Sequence, residues 1–204
     1  MRKKLDAIKM LVLDVDGVLT DGTVLVDSRG GESKSFSIID GHGIKMWKRA
    51  GLKIAFLSGR ASATTKYQAK ELAVDFCLNG RRDKLKGLEE LVKMSKIPAA
   101  QIAYVGDDLP DLPVISCVGF AAAVANAVDE IKRAADYVTK RKGGEGAVRE
   151  IIEYILKKTG RWNELVKRYE SAGTKHPKNF YRGARGDRRE NNINQSLRSR
   201  RSLR

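Results

Sequence analysis

The chain has 204 residues, with 40 Lys and Arg against 25 Asp and Glu and a formal net charge of +15. Hydrophobic residues at 42% and charged residues at 32% are enough for a packed core and exclude wholesale disorder. No apolar run approaches the ~20 residues of a membrane span and no apolar leader with a cleavage site opens the chain. Cys77 and Cys117 lie in apolar runs and read as buried thiols rather than a disulfide framework or zinc site. These features together predict a cytoplasmic protein.

Residues 9–15, Lys-Met-Leu-Val-Leu-Asp-Val, are almost continuously apolar, as in a strand buried on both faces of a parallel sheet. Residues 22–38 have no helical period. Val24-Leu25-Val26, then Asp-Ser-Arg-Gly-Gly, then Glu-Ser-Lys-Ser-Phe-Ser-Ile predict a hairpin, a small flap rather than a domain. Val24, Val26, Phe36 and Ile38 are expected to be exposed on it. A helix follows over 43–50 with Ile44, Trp47 and Ala50 in phase, then a strand over 54–58 and a helix over 61–73. Next come a strand over 76–78, a helix over 83–95 and a strand over 102–106. A helix over 110–116, a strand over 119–124, a helix over 126–135 and a strand over 137–139 complete the alternation. The last helix, 146–158, carries Val148, Ile151, Ile152 and Ile155 on one stripe. Alternation of this kind predicts the α/β class: a Rossmann-like parallel sheet with helices on both faces. Residues 172–204 hold ten basic and two acidic residues, +8 of the +15, without period. They are predicted to form a disordered basic tail on a body of residues 1–171.

The chemistry-bearing residues fall at the ends of predicted strands. Asp14-Val-Asp16-Gly17 follows the first strand. Two carboxylates there are unfavourable as packing, because burial without partners costs several kcal/mol. A hard divalent cation such as Mg²⁺ resolves the conflict, and so does a solvated Asp-capped turn. Gly106-Asp107-Asp108-Leu-Pro-Asp111 repeats the arrangement after another strand. Parallel strands present such ends on one edge, where open α/β sheets bind ligands. A loop capping the following helix accounts for Asp111 but poorly for Asp107 and Asp108. Ser58-Gly59-Arg60 offers a hydroxyl and backbone N–H groups suited to a phosphate, although Ser-Gly is also a common loop. Lys84 opens a helix, where a cation opposes the dipole. It faces an anion, or it is solvated.

In this order the motifs resemble the haloacid dehalogenase superfamily. More narrowly, residues 5–160 resemble the 3-deoxy-D-manno-octulosonate 8-phosphate (KDO 8-phosphate) phosphatases. The narrower resemblance rests on Asp14-x-Asp-Gly-Val-Leu-Thr-Asp-Gly22, Phe36-x-x-x-Asp40-Gly-x-Gly-Ile-Lys and Asp83-Lys84. It rests also on Gly106-Asp-Asp-x-x-Asp-Leu-Pro, Ala134-Ala-Asp136-Tyr-Val-Thr and Gly143-Gly-x-Gly-Ala-Val-Arg149-Glu150. It implies a capless phosphohydrolase in which Asp14 is the nucleophile and Asp16 the acid and base. Mg²⁺ would be held by Asp14, the Asp16 backbone carbonyl and Asp107, with Asp108 and Asp111 supporting from behind. Ser58 and Lys84 would hold phosphoryl oxygens, and Asp40, Gly59, Arg60 and Arg149 would serve the substrate. The hairpin would build a homotetramer whose neighbouring subunits shape each pocket. The implied reaction releases KDO and phosphate in lipopolysaccharide precursor synthesis. The family pattern has basic residues where this chain has Ile39, Gln68 and Glu145, so a sialic-acid-type 9-phosphate or another sugar phosphate stays open. Weak, salt-sensitive nucleic-acid binding through the basic tail is the alternative from outside enzymology.

Overall fold

The computed structural model describes residues 2–173, so the tail predicted over 172–204 lies, from residue 174 on, outside the described residues. Its elements are, in chain order, α1 (Arg2–Asp6), β1 (Met10–Leu13), β2 (Leu25–Val26), β3 (Glu32–Ser33), α2 (Ile38–Arg49), β4 (Lys53–Ser58), α3 (Ala63–Glu71) and β5 (Phe76–Asn79). There follow α4 (Lys84–Ser95), β6 (Ile102–Gly106), α5 (Leu112–Ile115), β7 (Phe120–Ala123), α6 (Asp129–Ala134), β8 (Tyr137–Val138), α7 (Ala147–Lys158) and α8 (Trp162–Gly173). By internal contacts the chain divides after Leu165, and the second unit begins at Val166 within α8.

Six strands form one wholly parallel sheet in the order β5-β4-β1-β6-β7-β8. All four residues of β1 are buried, which is why its sequence is unbroken apolar rather than alternating. It pairs with β4 on one side (Leu13 opposite Phe56) and with β6 on the other (Leu13 opposite Val105). From β1 the chain moves outward through β4 to β5, then crosses back to β6 and moves outward the other way. Right-handed crossovers therefore put α2 and α3 on one face and α4, α5 and α6 on the other. The reversal lies between β1 and β6, and their C-terminal ends define the crevice where such sheets bind ligands.

α7 packs against α2. Its predicted stripe of Val148, Ile151, Ile152 and Ile155 is buried. Each such side chain contributes roughly 1.5–3 kcal/mol of burial. α2 begins at Ile38, five residues before the periodic pattern suggests. Ser37 caps it, its side chain accepting the Asp40 N–H. Gly41 and Gly43 hide this first turn from a propensity reading. A Cβ at Gly43 would lie 3.2 Å from the Arg149 Cα of α7, closer than ordinary van der Waals contact, so glycine lets the two helices approach.

The hairpin is shorter than predicted, two residues per strand, closed by Asp27, which accepts the N–H groups of Arg29 and Gly31. Leu25 and Val26 are 69% and 65% exposed, and Ile38 and Ile39 are 89% and 51% exposed. Val24 and Phe36, expected outside, are half-buried, and Phe36 packs on the core. The cysteine expectation is also corrected: both thiols are exposed. Cys77 points outward from β5, an edge strand with only β4 beside it, and Cys117 lies in the turn before β7. No helix among the described residues is long and apolar enough to cross a membrane.

Candidate active site

The sheet brings the two acidic motifs together at the switch point. The Asp14 N–H extends the ladder to the Val105 carbonyl at 3.0 Å, so the Asp14 side chain emerges where β1 and β6 end. Gly17 then turns the chain back with φ +88°. An added Cβ there would fall 2.0 Å from Asp107 Oδ2, so only glycine lets the first motif close on the second. Thr20 fixes the turn from inside, its Oγ1 accepting the N–H groups of Gly17 and Gly22 at 3.2 Å.

Carboxylate oxygens of Asp14, Asp107 and Asp111 lie within 4.8 Å of one another. Lys84 holds this cluster. Its Nζ is 2.8 Å from Asp14 Oδ2 and 2.5 Å from Asp111 Oδ1, and it is almost wholly buried. This answers the question posed by a lysine at a helix start: its head leaves the helix for two carboxylates. Asp111 is saturated. Its Oδ1 also accepts the Tyr104 hydroxyl at 2.5 Å, and its Oδ2 accepts the N–H groups of Asp107 (3.0 Å) and Asp108 (3.3 Å). Asp108 caps the turn before α5, accepting the N–H of Leu109.

Asp14 and Asp107 thus have capacity to spare, and the buried Asp107 Oδ1 has no hydrogen-bond partner among the described residues. Burial, reinforced by Asp111, pushes the Asp14 carboxyl up to about 6 despite Lys84. Burial together with Asp14 and Asp111 pushes Asp107 up to about 8. Burial works against the charge on Lys84, but Asp14 and Asp111 outweigh it and raise its pKa. Buried oxygen donors that repel one another, with no sulfur or imidazole among them, fit a hard divalent cation such as Mg²⁺.

A cleft of about 540 Å³ opens over this cluster, lined by Asp14, Asp16, Gly59, Arg60, Asp107 and Asp108, with Gly22, Arg82, Lys84 and Pro110. Ser58, next to Gly59, does not line it. Its side chain is fully buried and its Oγ donates to the Arg60 carbonyl at 3.0 Å. Two expected substrate residues are not brought to the cleft. Asp40 is buried between α2 and α7, where Oδ1 accepts the Arg149 N–H (2.7 Å) and Oδ2 that of Gly146 (3.1 Å), so it caps α7. The Arg149 guanidinium pairs with Glu153 at 2.7 Å and lies 5.5 Å over the Trp162 ring. Gln68 lines a separate cavity beside α2.

Sequence reasoning missed Lys34, Glu32, Arg82 and Tyr104. Lys34 Nζ reaches Asp16 Oδ1 at 2.7 Å. Glu32 binds the Arg60 guanidinium and the Ser62 hydroxyl, and these bonds hold its carboxyl at about 2. Residues 32 and 34 share one face by strand alternation, the only signal available. Arg82 sits in a basic run just before Asp83-Lys84. Tyr104 is the one polar-tipped residue of β6.

The comparisons with known proteins agree with this geometry. Residues 78–152 match the haloacid dehalogenase-like hydrolase family. The chain is 40% identical over 161 residues to the 3-deoxy-D-manno-octulosonate 8-phosphate phosphatase KdsC of Haemophilus influenzae, covering 79% of this chain and 89% of the relative. The chain belongs to this phosphatase family. Among solved structures, the family's enzyme from Moraxella catarrhalis, in complex with magnesium ion, phosphate ion and KDO, matches with TM-score 0.80 and 38% identity. That match covers 82% of this chain and 97% of the other. The cobalt-bound form of the H. influenzae family member matches with TM-score 0.75 and 41% identity over 77% of this chain and 92% of the other.

Proposed function

We propose that the chain is a Mg²⁺-dependent phosphomonoesterase that converts 3-deoxy-D-manno-octulosonate 8-phosphate to KDO and phosphate. The observation that carries the reading is the meeting of Asp14 and Asp107 at the switch point, with Lys84 Nζ 2.8 Å from Asp14. Asp14 is the nucleophile. With Oδ2 held by Lys84, Oδ1 attacks phosphorus, the bond to the sugar oxygen breaks, and an aspartyl-phosphate forms on Asp14. Asp16 gives its proton to the departing C8 oxygen and then takes one from the water that cleaves the aspartyl-phosphate. Asp14, the Asp16 backbone carbonyl and Asp107 would hold Mg²⁺, with Asp108 and Asp111 behind them. When bound, Mg²⁺ supplies positive charge that lets carboxylates and a phosphate dianion coexist. Lys84 and the backbone after Ser58 receive phosphoryl oxygens. For Ser58 itself, the hydroxyl must turn from the Arg60 carbonyl to do so.

Arg60 and Arg82 at the mouth suit the carboxylate of an acid sugar. Ile39, Gln68 and Glu145 stand where the family pattern has cations, so a sialic-acid-type 9-phosphate or another sugar phosphate is the second reading. The exposed Leu25, Val26, Ile38 and Ile39 support a homotetramer, in which Arg149 could meet a neighbouring pocket. Phosphate release from KDO 8-phosphate, a sialic-acid 9-phosphate and simple hexose phosphates tests the assignment. The highest kcat/KM is expected on KDO 8-phosphate. A higher value on the 9-phosphate would transfer the assignment to that substrate.

A further inference from the structure

Lys34 stands on a hairpin whose Leu25 and Val26 are exposed, yet its own side chain is fully buried. Burying an ammonium costs several kcal/mol unless it is paired. Its partners are few and specific: Asp16 Oδ1 at 2.7 Å, the Thr65 hydroxyl at 3.4 Å and Glu32 Oε1 at 3.7 Å. Glu32 is itself fastened to Arg60, Ser62 and Thr64 at the start of α3. The hairpin is therefore pinned to the body on the side from which Lys34 enters. Asp16 Oδ1 is buried and accepts no aligned hydrogen bond from the described residues, and the 22% exposure that Asp16 keeps lies on the rest of its side chain.

We infer that Lys34 is the positioning residue for Asp16, covering Oδ1 so that Oδ2 alone faces the scissile bond. The inference rests on the phosphatase reading of the site. A lysine ammonium has donors only, so it cannot accept from a protonated carboxyl. With Oδ1 taken up by Lys34, Oδ2 is the oxygen left to give and take the proton. From there it passes to the C8 oxygen as the phosphorus–oxygen bond breaks, and the attacking water restores it. Without Lys34 the carboxyl can rotate away from the cleft, and the fraction of productive encounters falls.

The test uses the full-length chain with Mg²⁺ and two substrates. KDO 8-phosphate leaves as an alkoxide and needs the proton, whereas p-nitrophenyl phosphate leaves as a stable phenolate and does not. kcat/KM is the quantity compared, because it spans phosphoryl transfer but not the later hydrolysis of the aspartyl-phosphate. Lys34→Met is expected to lose about 100-fold on the alkyl ester, and less than about 3-fold on the aryl ester, the range set by general-acid contributions. Lys34→Arg is expected to recover most of the alkyl activity. Should the Met variant not fold, Lys34→Gln carries the same comparison. Equal losses on both esters, or none on either, would overturn the positioning role. Wild-type protein inert on both esters would instead overturn the phosphatase reading on which it rests.

Discussion

Asp14 and Asp107 hold their protons more tightly in the folded chain than in the unfolded one. Burial and mutual repulsion lift them from 3.8 to about 6 and about 8. Below the unfolded value both states are protonated and nothing is lost. As pH rises from about 4 towards 8 the unfolded chain gives up protons that the native chain keeps, so metal-free stability declines across that window. Mg²⁺ binds the deprotonated pair and displaces those protons. Thermal unfolding in EDTA should show Tm falling between pH 5 and pH 8, and the rise caused by added Mg²⁺ should be larger at pH 8. A Mg²⁺ effect independent of pH would mean that these carboxyls are not its ligands. The residues concerned were legible because a paired carboxylate after a buried strand has no packing explanation. Lys34 was not, because a lysine on a hairpin is ordinarily solvated and only the three-dimensional closure of the flap buries it.

At the scale of elements, Asp40 shows how a motif residue can be found for one reason and used for another. Its place in Phe36-x-x-x-Asp40-Gly suggested substrate contact. Its carboxylate instead receives two N–H groups at the start of α7 and ties that helix to α2. Burial raises its pKa and the two backbone bonds oppose the rise. Asp40→Ala leaves those donors buried and unpaired, which should cost about 1–3 kcal/mol. A urea titration should show a lower midpoint at unchanged slope. A wild-type midpoint would return Asp40 to the substrate. The strands and the long helices α4 and α7 were readable because each buries one apolar face or both. α8 was not, since its Trp162, Leu165 and Tyr169 are interleaved with charge and run into the basic tail. The first turn of α2 was hidden by two glycines, Gly43 lying close to Arg149 of α7 and Gly41 close to Leu72 after α3.

For the whole molecule, the strand order alone predicts where chemistry occurs: the connections leaving the paired strands β1 and β6 run to opposite sides of the sheet, and the two acidic motifs are the residues that follow those strands. The exposed apolar residues of the hairpin and of the start of α2 are expected to be covered by other copies of the chain. Light scattering at micromolar concentration should give a tetramer mass. A monomer would leave Leu25, Val26, Ile38 and Ile39 without the partner the proposal assigns them. The central claim is that Asp14, served by Mg²⁺, carries the phosphoryl group. It is tested most directly by phosphate release from KDO 8-phosphate, comparing wild-type protein with Asp14→Asn, each with Mg²⁺ and with excess EDTA. Wild-type turnover should vanish in EDTA and return with Mg²⁺, and the near-isosteric Asn variant should fall by at least about 1,000-fold, as loss of a nucleophile requires. Undiminished turnover in chelator, or more than a few per cent of wild-type rate in folded Asp14→Asn, would contradict the account.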